Sequence, residues 1–98
     1  MLTLEEAKAL AIEHVRENIR NKKLELAVLD EHTEVKRYGW VLSVNSRAYA
    51  ESRDDIKHML VGIGPIIVRH NRKVEALSSG LPPEDTIAAF ERRHWPWL

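Results

Sequence analysis

Cysteine is absent from this 98-residue chain, and its absence removes disulfides, thiolate metal sites and cysteine nucleophiles together. Stability must therefore come from an apolar core. An excess of one charge is absent too: 15 basic side chains meet 15 acidic ones, so no net field draws in nucleic acid or an anionic membrane. Nor is there a run of about 18 apolar residues that could span a bilayer. The opening residues Met1-Leu2-Thr3-Leu4-Glu5-Glu6 carry acid where a secretory signal needs a basic region and a continuous apolar stretch. A cytoplasmic protein is the simplest expectation. What remains, 44% apolar and 31% charged residues, is an ordinary globular composition, and the length suits a single domain over residues 1–98 with no internal linker.

The patterns along the chain alternate between the two main periods. Thr3 followed by Glu6 is a capping-box signature, and Leu4, Ala7, Ala11, Ile12, Val15 and Ile19 form one apolar helical stripe that ends in residues 18–23. The small Ala7 and Ala11 would let this helix approach a sheet closely, while Lys8, inside the stripe, snorkels out. Leu24, Leu26 and Val28 alternate with polar or small neighbours as a strand, which residues 34–36 extend or re-enter after a bend at residues 30–32. Tyr38-Gly39 turns the chain, and Trp40, Leu42 and Val44 mark a second strand, antiparallel to the first. Ser52 with Asp55 can cap a short helix bearing Ile56, Met59 and Leu60. Gly62, Gly64 and Pro65 then form a step where glycine tolerates positive φ and proline takes the first strand position, leading into Ile66-Ile67-Val68. A turn at Asn71-Arg72 precedes a fourth strand around Val74 and Ala76. Pro82-Pro83 opens a last helix with Ile87, Phe90 and His94 on one face. The expected architecture is α+β, in the order α-β-β-short α-β-β-α, with a four-stranded antiparallel sheet and the helices packed on one face.

Residues that could carry chemistry are dispersed. The histidines at 14, 32, 58, 70 and 94 do not pair at three- or four-residue spacing, which points to no metal site and no cofactor. Asp54-Asp55 and Glu5-Glu6 are sequence neighbours whose side chains would diverge by about 100° on a helix, so they read as capping residues and not as an acid/base pair. No serine lies in a nucleophile elbow. Gly62-Ile63-Gly64-Pro65 leads into a strand, not a helix N-terminus, and so lacks the donors and dipole that a phosphate needs. The residues describe a binding protein, not an enzyme. Trp40 shares parity with Leu42 and Val44 and reads as core. Tyr49 either closes the sheet edge or presents its ring and hydroxyl to a partner. In His94-Trp95-Pro96-Trp97-Leu98 the two indoles are either a flap over the core or an anchor for another surface.

Gly39-Trp40, Tyr49 and the Gly62-Ile63-Gly64-Pro65 step into Ile66-Ile67-Val68 together resemble the immunity protein 35 family, YrhB-like small bacterial proteins, over residues 38–90. The chain departs from that pattern in the turn His70-Asn71-Arg72-Lys73 and at Ser78-Ser79-Gly80. The resemblance implies a structural role for Gly39, Trp40, Gly62, Gly64 and Pro65. It also implies a bacterial immunity function: stoichiometric binding of a cognate protein toxin from an interbacterial competition system. Candidate anchors for that partner are Tyr49, Arg53, Arg92, Arg93, Trp95 and Trp97. A second copy of the chain is a further candidate partner. The alternative is a stress-related or chaperone-like accessory protein that binds exposed apolar segments without one dedicated toxin.

Overall fold

The computed structural model describes residues 1–53 and 56–97. It is an α+β fold in the order α1 (Leu4–Asn18), β1 (Leu26–Val28), β2 (Glu34–Lys36), β3 (Gly39–Leu42), β4 (Val44–Ser46), α2 (Arg47–Ser52), β5 (Ile66–Arg69), β6 (Val74–Ala76) and α3 (Pro83–His94), with 3-10 turns at Asp30–His32 and Ile56–His58. The capping box forms: Glu6 N–H donates to Thr3 Oγ1 at 3.2 Å, and Thr3 N–H donates to Glu6 Oε1 at 2.9 Å. These bonds hold the Glu6 carboxyl below its ordinary range, the bond from the Thr3 backbone contributing most. At the other end of α1, Arg16 donates to the carbonyls of Lys22 and Leu24 and ties the helix to the approach to β1.

The expected first hairpin is present but divided between two sheets. β1 pairs with β4, Val28 opposite Val44, and β2 pairs with β3, Glu34 opposite Val41. From the first pair to the second, one strand advances six residues and its partner three. The three extra residues match the length of the 3-10 turn Asp30–His32, which bends the hairpin there. The result is a two-stranded sheet, β1-β4, beside a four-stranded antiparallel sheet ordered β2-β3-β5-β6.

The helices do not share one face. Trp40, Leu42, Ile66 and Val68 face α1, where Ala7, Ala11 and Val15 are buried against them. Val41 and Ile67, of opposite parity, face α3 and pack with Leu77, Ile87 and Phe90. β3 is consequently buried along its whole length, as a strand enclosed on both sides must be. The expectation of helices on one face is corrected by this second core.

A short α-helix, α2, forms ahead of the expected one, whose place holds the 3-10 turn Ile56–His58. Ser52 is the last residue of α2, and the cap of α2 is Ser46, in extended conformation, whose Oγ accepts from Tyr49 N–H at 3.2 Å. Arg53, in the left-handed region at φ 62°, closes the helix. The expected role of Asp55, like the reading of Asp54-Asp55, lies outside the described residues. Asn45 then holds the returning chain as a backbone would: its Nδ2 donates to Leu60 C=O at 3.1 Å, and its Oδ1 accepts from Leu60 N–H at 2.7 Å.

Two glycines show why nothing larger fits. Gly39 has φ +147°, and a Cβ there would stand 2.0 Å from the Val68 carbonyl oxygen. Of the Gly62 and Gly64 pair only Gly62 has positive φ, at +81°. Gly64 is required for a different reason: a Cβ would lie 2.3 Å from Leu77 O, where the chain of β6 closes on the step through the bond from Leu77 N–H to Pro65 C=O. Pro65 itself is buried at the entry to β5. No helix among the described residues is long and apolar enough to cross a membrane.

Candidate partner-binding site

The six candidate anchors fall into two groups on different elements. Tyr49 lies in α2, which packs on β1 and β4, and Arg53 caps its end. The Arg53 guanidinium lies 6.0 Å from the Tyr49 ring centroid and pairs with Glu31 in the 3-10 turn. It also donates to the Ala50 carbonyl, so it fastens the end of α2 to the bend in the hairpin. The bond from Arg53 holds the Glu31 carboxyl below its ordinary range. Tyr49 is half-buried beneath this arrangement.

Arg92, Arg93, Trp95 and Trp97 lie at the end of α3 and just past it. Trp95 is half-buried and belongs to the α3 core. Its ring stacks on Tyr38 with centroids 4.8 Å apart and 18° between planes, and meets Phe90 edge-on at 5.9 Å. The Arg69 guanidinium lies 5.5 Å from the same ring. Tyr38 is fixed in turn by its hydroxyl, which donates to Glu91 Oε2 at 2.8 Å, and Lys36 Nζ lies 3.4 Å from that carboxylate oxygen. Burial, and next the bond to Glu91, raise the Tyr38 hydroxyl pKa above its ordinary value. Of the two roles open to the indoles, Trp95 takes that of the flap.

Trp97, two residues on, is 75% exposed. Arg92, in the last turn of α3, is exposed, and Arg93 is exposed but engaged, with Nη2 2.9 Å from Glu75 Oε2. The arrangement therefore offers an exposed guanidinium on the last turn of α3 and an exposed indole on the segment past it, whose root, Trp95, contacts Tyr38 and Arg69. Tyr38, Arg69 and Glu91 were not among the sequence candidates. Their contacts join residues far apart in sequence, Tyr38 with Glu91 and Arg69 with Trp95, so no local pattern marks them.

Two clefts flank residues 63–64. The larger, about 390 Å3, has apolar walls from Val15, Ile19, Leu60, Ile63 and Leu77, with His14 and Asn18 as its polar side chains. The smaller, about 300 Å3, includes His32, Ser43, Ser78 and Ser79. Neither brings together a nucleophile, base and orienting acid. Among the described residues no group of three or more His, Asp or Glu side chains could hold a metal ion. The five histidines are dispersed over helices, turns and strand ends, with His94 bonding the Phe90 carbonyl through Nδ1 at 3.0 Å. Comparison with known proteins returned no matching family model, no matching curated protein and no matching solved structure.

Proposed function

We propose that this protein is an immunity protein that binds one bacterial toxin tightly and without turnover, in the cytoplasm of the cell that makes it. One observation carries the reading: Trp97 is presented 75% exposed beyond a Trp95 that is stacked on Tyr38. An indole held out by a fixed base loses little conformational freedom on binding. Tryptophan and arginine are also the residues that most often dominate protein interfaces, so Trp97 would be the main anchor of a contact of roughly 1,600 Å2, with the exposed Arg92 of α3 a second candidate. The sequence resemblance at Gly39-Trp40 and Gly62-Ile63-Gly64-Pro65 supplies the class of partner.

Co-expression with a toxin captured from the native host tests this. Protection should require near-equal amounts of the two proteins and should fail for Trp97→Ala in a still-folded variant. Protection by catalytic traces, or no toxin bound at all, would contradict the proposal. The second reading, a chaperone-like accessory role, has its own observation in the apolar 390 Å3 cleft, edged by a Val61 that is 80% exposed. That role would show as binding of many unfolded chains, sensitive to Val61→Asp and indifferent to Trp97→Ala.

A further inference from the structure

The four-stranded sheet has two edges, and they differ. At β6, Val74 is half-buried against the α1 core, and α1 packs across β3, β5 and β6. At the other edge, in β2, Val35 is 78% exposed although it pairs directly with the buried Trp40. The hydrogen-bond directions explain what that edge offers. His70 N–H donates to Tyr38 C=O at 2.9 Å across the β3–β5 register. Backbone direction alternates along an antiparallel strand. Trp40, two residues on from Tyr38, therefore turns its N–H and C=O to β5, and Gly39 and Val41 turn theirs to Lys36 and Glu34 of β2. Val35, between them, aims both backbone groups outward, away from its own sheet.

We propose that this edge pairs with the same edge of a second copy of the chain, β2 antiparallel to β2 about a two-fold axis at Val35. In that register the two Val35 residues exchange two backbone hydrogen bonds. Glu34 of each copy stands opposite Lys36 of the other, so a symmetric contact matches charge with charge on both sides of the axis. Moving the axis by one residue sets Lys36 against Lys36 or Glu34 against Glu34, which like-charge repulsion opposes. Glu34 and Lys36 of one chain already lie 3.6 Å apart, and the second copy extends them to a ring of four alternating charges. The two exposed Val35 side chains meet on the opposite face. The same flanking charges discourage indiscriminate edge pairing. A three-residue edge buries less than the roughly 1,200 Å2 of a stable interface, so the dimer is weak and depends on concentration.

Sedimentation of the full chain over a concentration series tests this. Wild type should pass from the monomer mass to twice that mass below about 1 mM. Val35→Pro removes an N–H that no strand of its own chain uses, and it should stay monomeric with a melting temperature near that of wild type. Glu34→Lys and Lys36→Glu should each weaken association by at least about tenfold, and an equimolar mixture of the two should restore it, because each then supplies the charges the other lacks. The mixture keeps the test valid if the proline variant fails to fold. A wild type that stays monomeric up to about 1 mM, or a dimer indifferent to these changes, overturns the proposal. So does a monomeric wild type that loses a different protein partner on Val35→Pro, since the edge then serves a foreign strand.

Discussion

The two faces of the four-stranded sheet are built differently. The α1 face is almost wholly aliphatic: Ala7, Ala11 and Val15 close on Leu42, Ile66 and Val68, with Trp40 at its margin. The α3 face has fewer buried residues, Val41, Ile67, Leu77, Ile87 and Phe90, and completes itself with Tyr38, Trp95 and the carboxylate of Glu91. Small alanines let α1 sit close to the sheet and bury methyl surface, which contributes about 25 cal/mol per Å2. The α3 face instead uses ring stacking and one charge-assisted bond to hold a segment that continues outward. The first face serves stability. The second serves stability and presentation together, and the proposed anchor Trp97 emerges from it.

The largest effect expected removes the partition between the faces. Gly39→Ala places a Cβ 2.0 Å from Val68 O at a φ of +147°, and should cost more than about 4 kcal/mol or prevent folding. Gly80→Ala, where the nearest atom is Ser78 Oγ at 3.7 Å, serves as the matched control in denaturant titration and should fold.

Next come the two cores. Trp40→Ala and Phe90→Ala should each destabilise by about 3 to 5 kcal/mol, measured by urea unfolding. The second should also change the fluorescence of Trp95, which touches Phe90 edge-on. A Phe90→Ala variant that melts like wild type would mean that the α3 face is an appendage and not a second core.

A smaller effect separates the polar buttress from the packing. Tyr38→Phe keeps the ring on Trp95 and removes the bond to Glu91, costing about 1 kcal/mol at this half-exposed site. Its pH dependence has a defined sign. The folded state raises the Tyr38 hydroxyl above its ordinary value of 10.0, so both states are protonated below that pH and the full contribution is present. Above it the unfolded chain ionises first, and stability falls as pH rises toward the folded value. Tyr38→Phe should flatten that alkaline decline.

Much of this was legible in the sequence. Thr3 with Glu6 and the Ala7, Ala11, Val15 stripe place α1, and Pro82-Pro83 places the start of α3, because caps and prolines act locally. The side taken by α3 was also written there, in the continuous apolar runs Trp40-Val41-Leu42 and Ile66-Ile67-Val68, which suit strands covered on both faces. Strict alternation hides that signal by assigning only one parity to the core. The position of α2 was harder. Ser46 starts α2 through tertiary contacts as well as local ones, its hydroxyl accepting from Tyr49 N–H and donating to the His58 carbonyl. The flap role of Trp95 depends on Tyr38 and Arg69 arriving from distant strands, which no local pattern encodes.

The smallest stability effect bears most directly on function. Trp97→Ala, at a side chain 75% exposed, should leave unfolding free energy within about 0.5 kcal/mol of wild type. Calorimetric titration of the same variant with the captured toxin should lose about 2 kcal/mol or more of binding energy. That pair of results, an unchanged fold and a weakened complex, is what a presented anchor requires. Undiminished affinity, or a loss of affinity that merely follows a fall in melting temperature, would contradict the assignment of Trp97 to the partner.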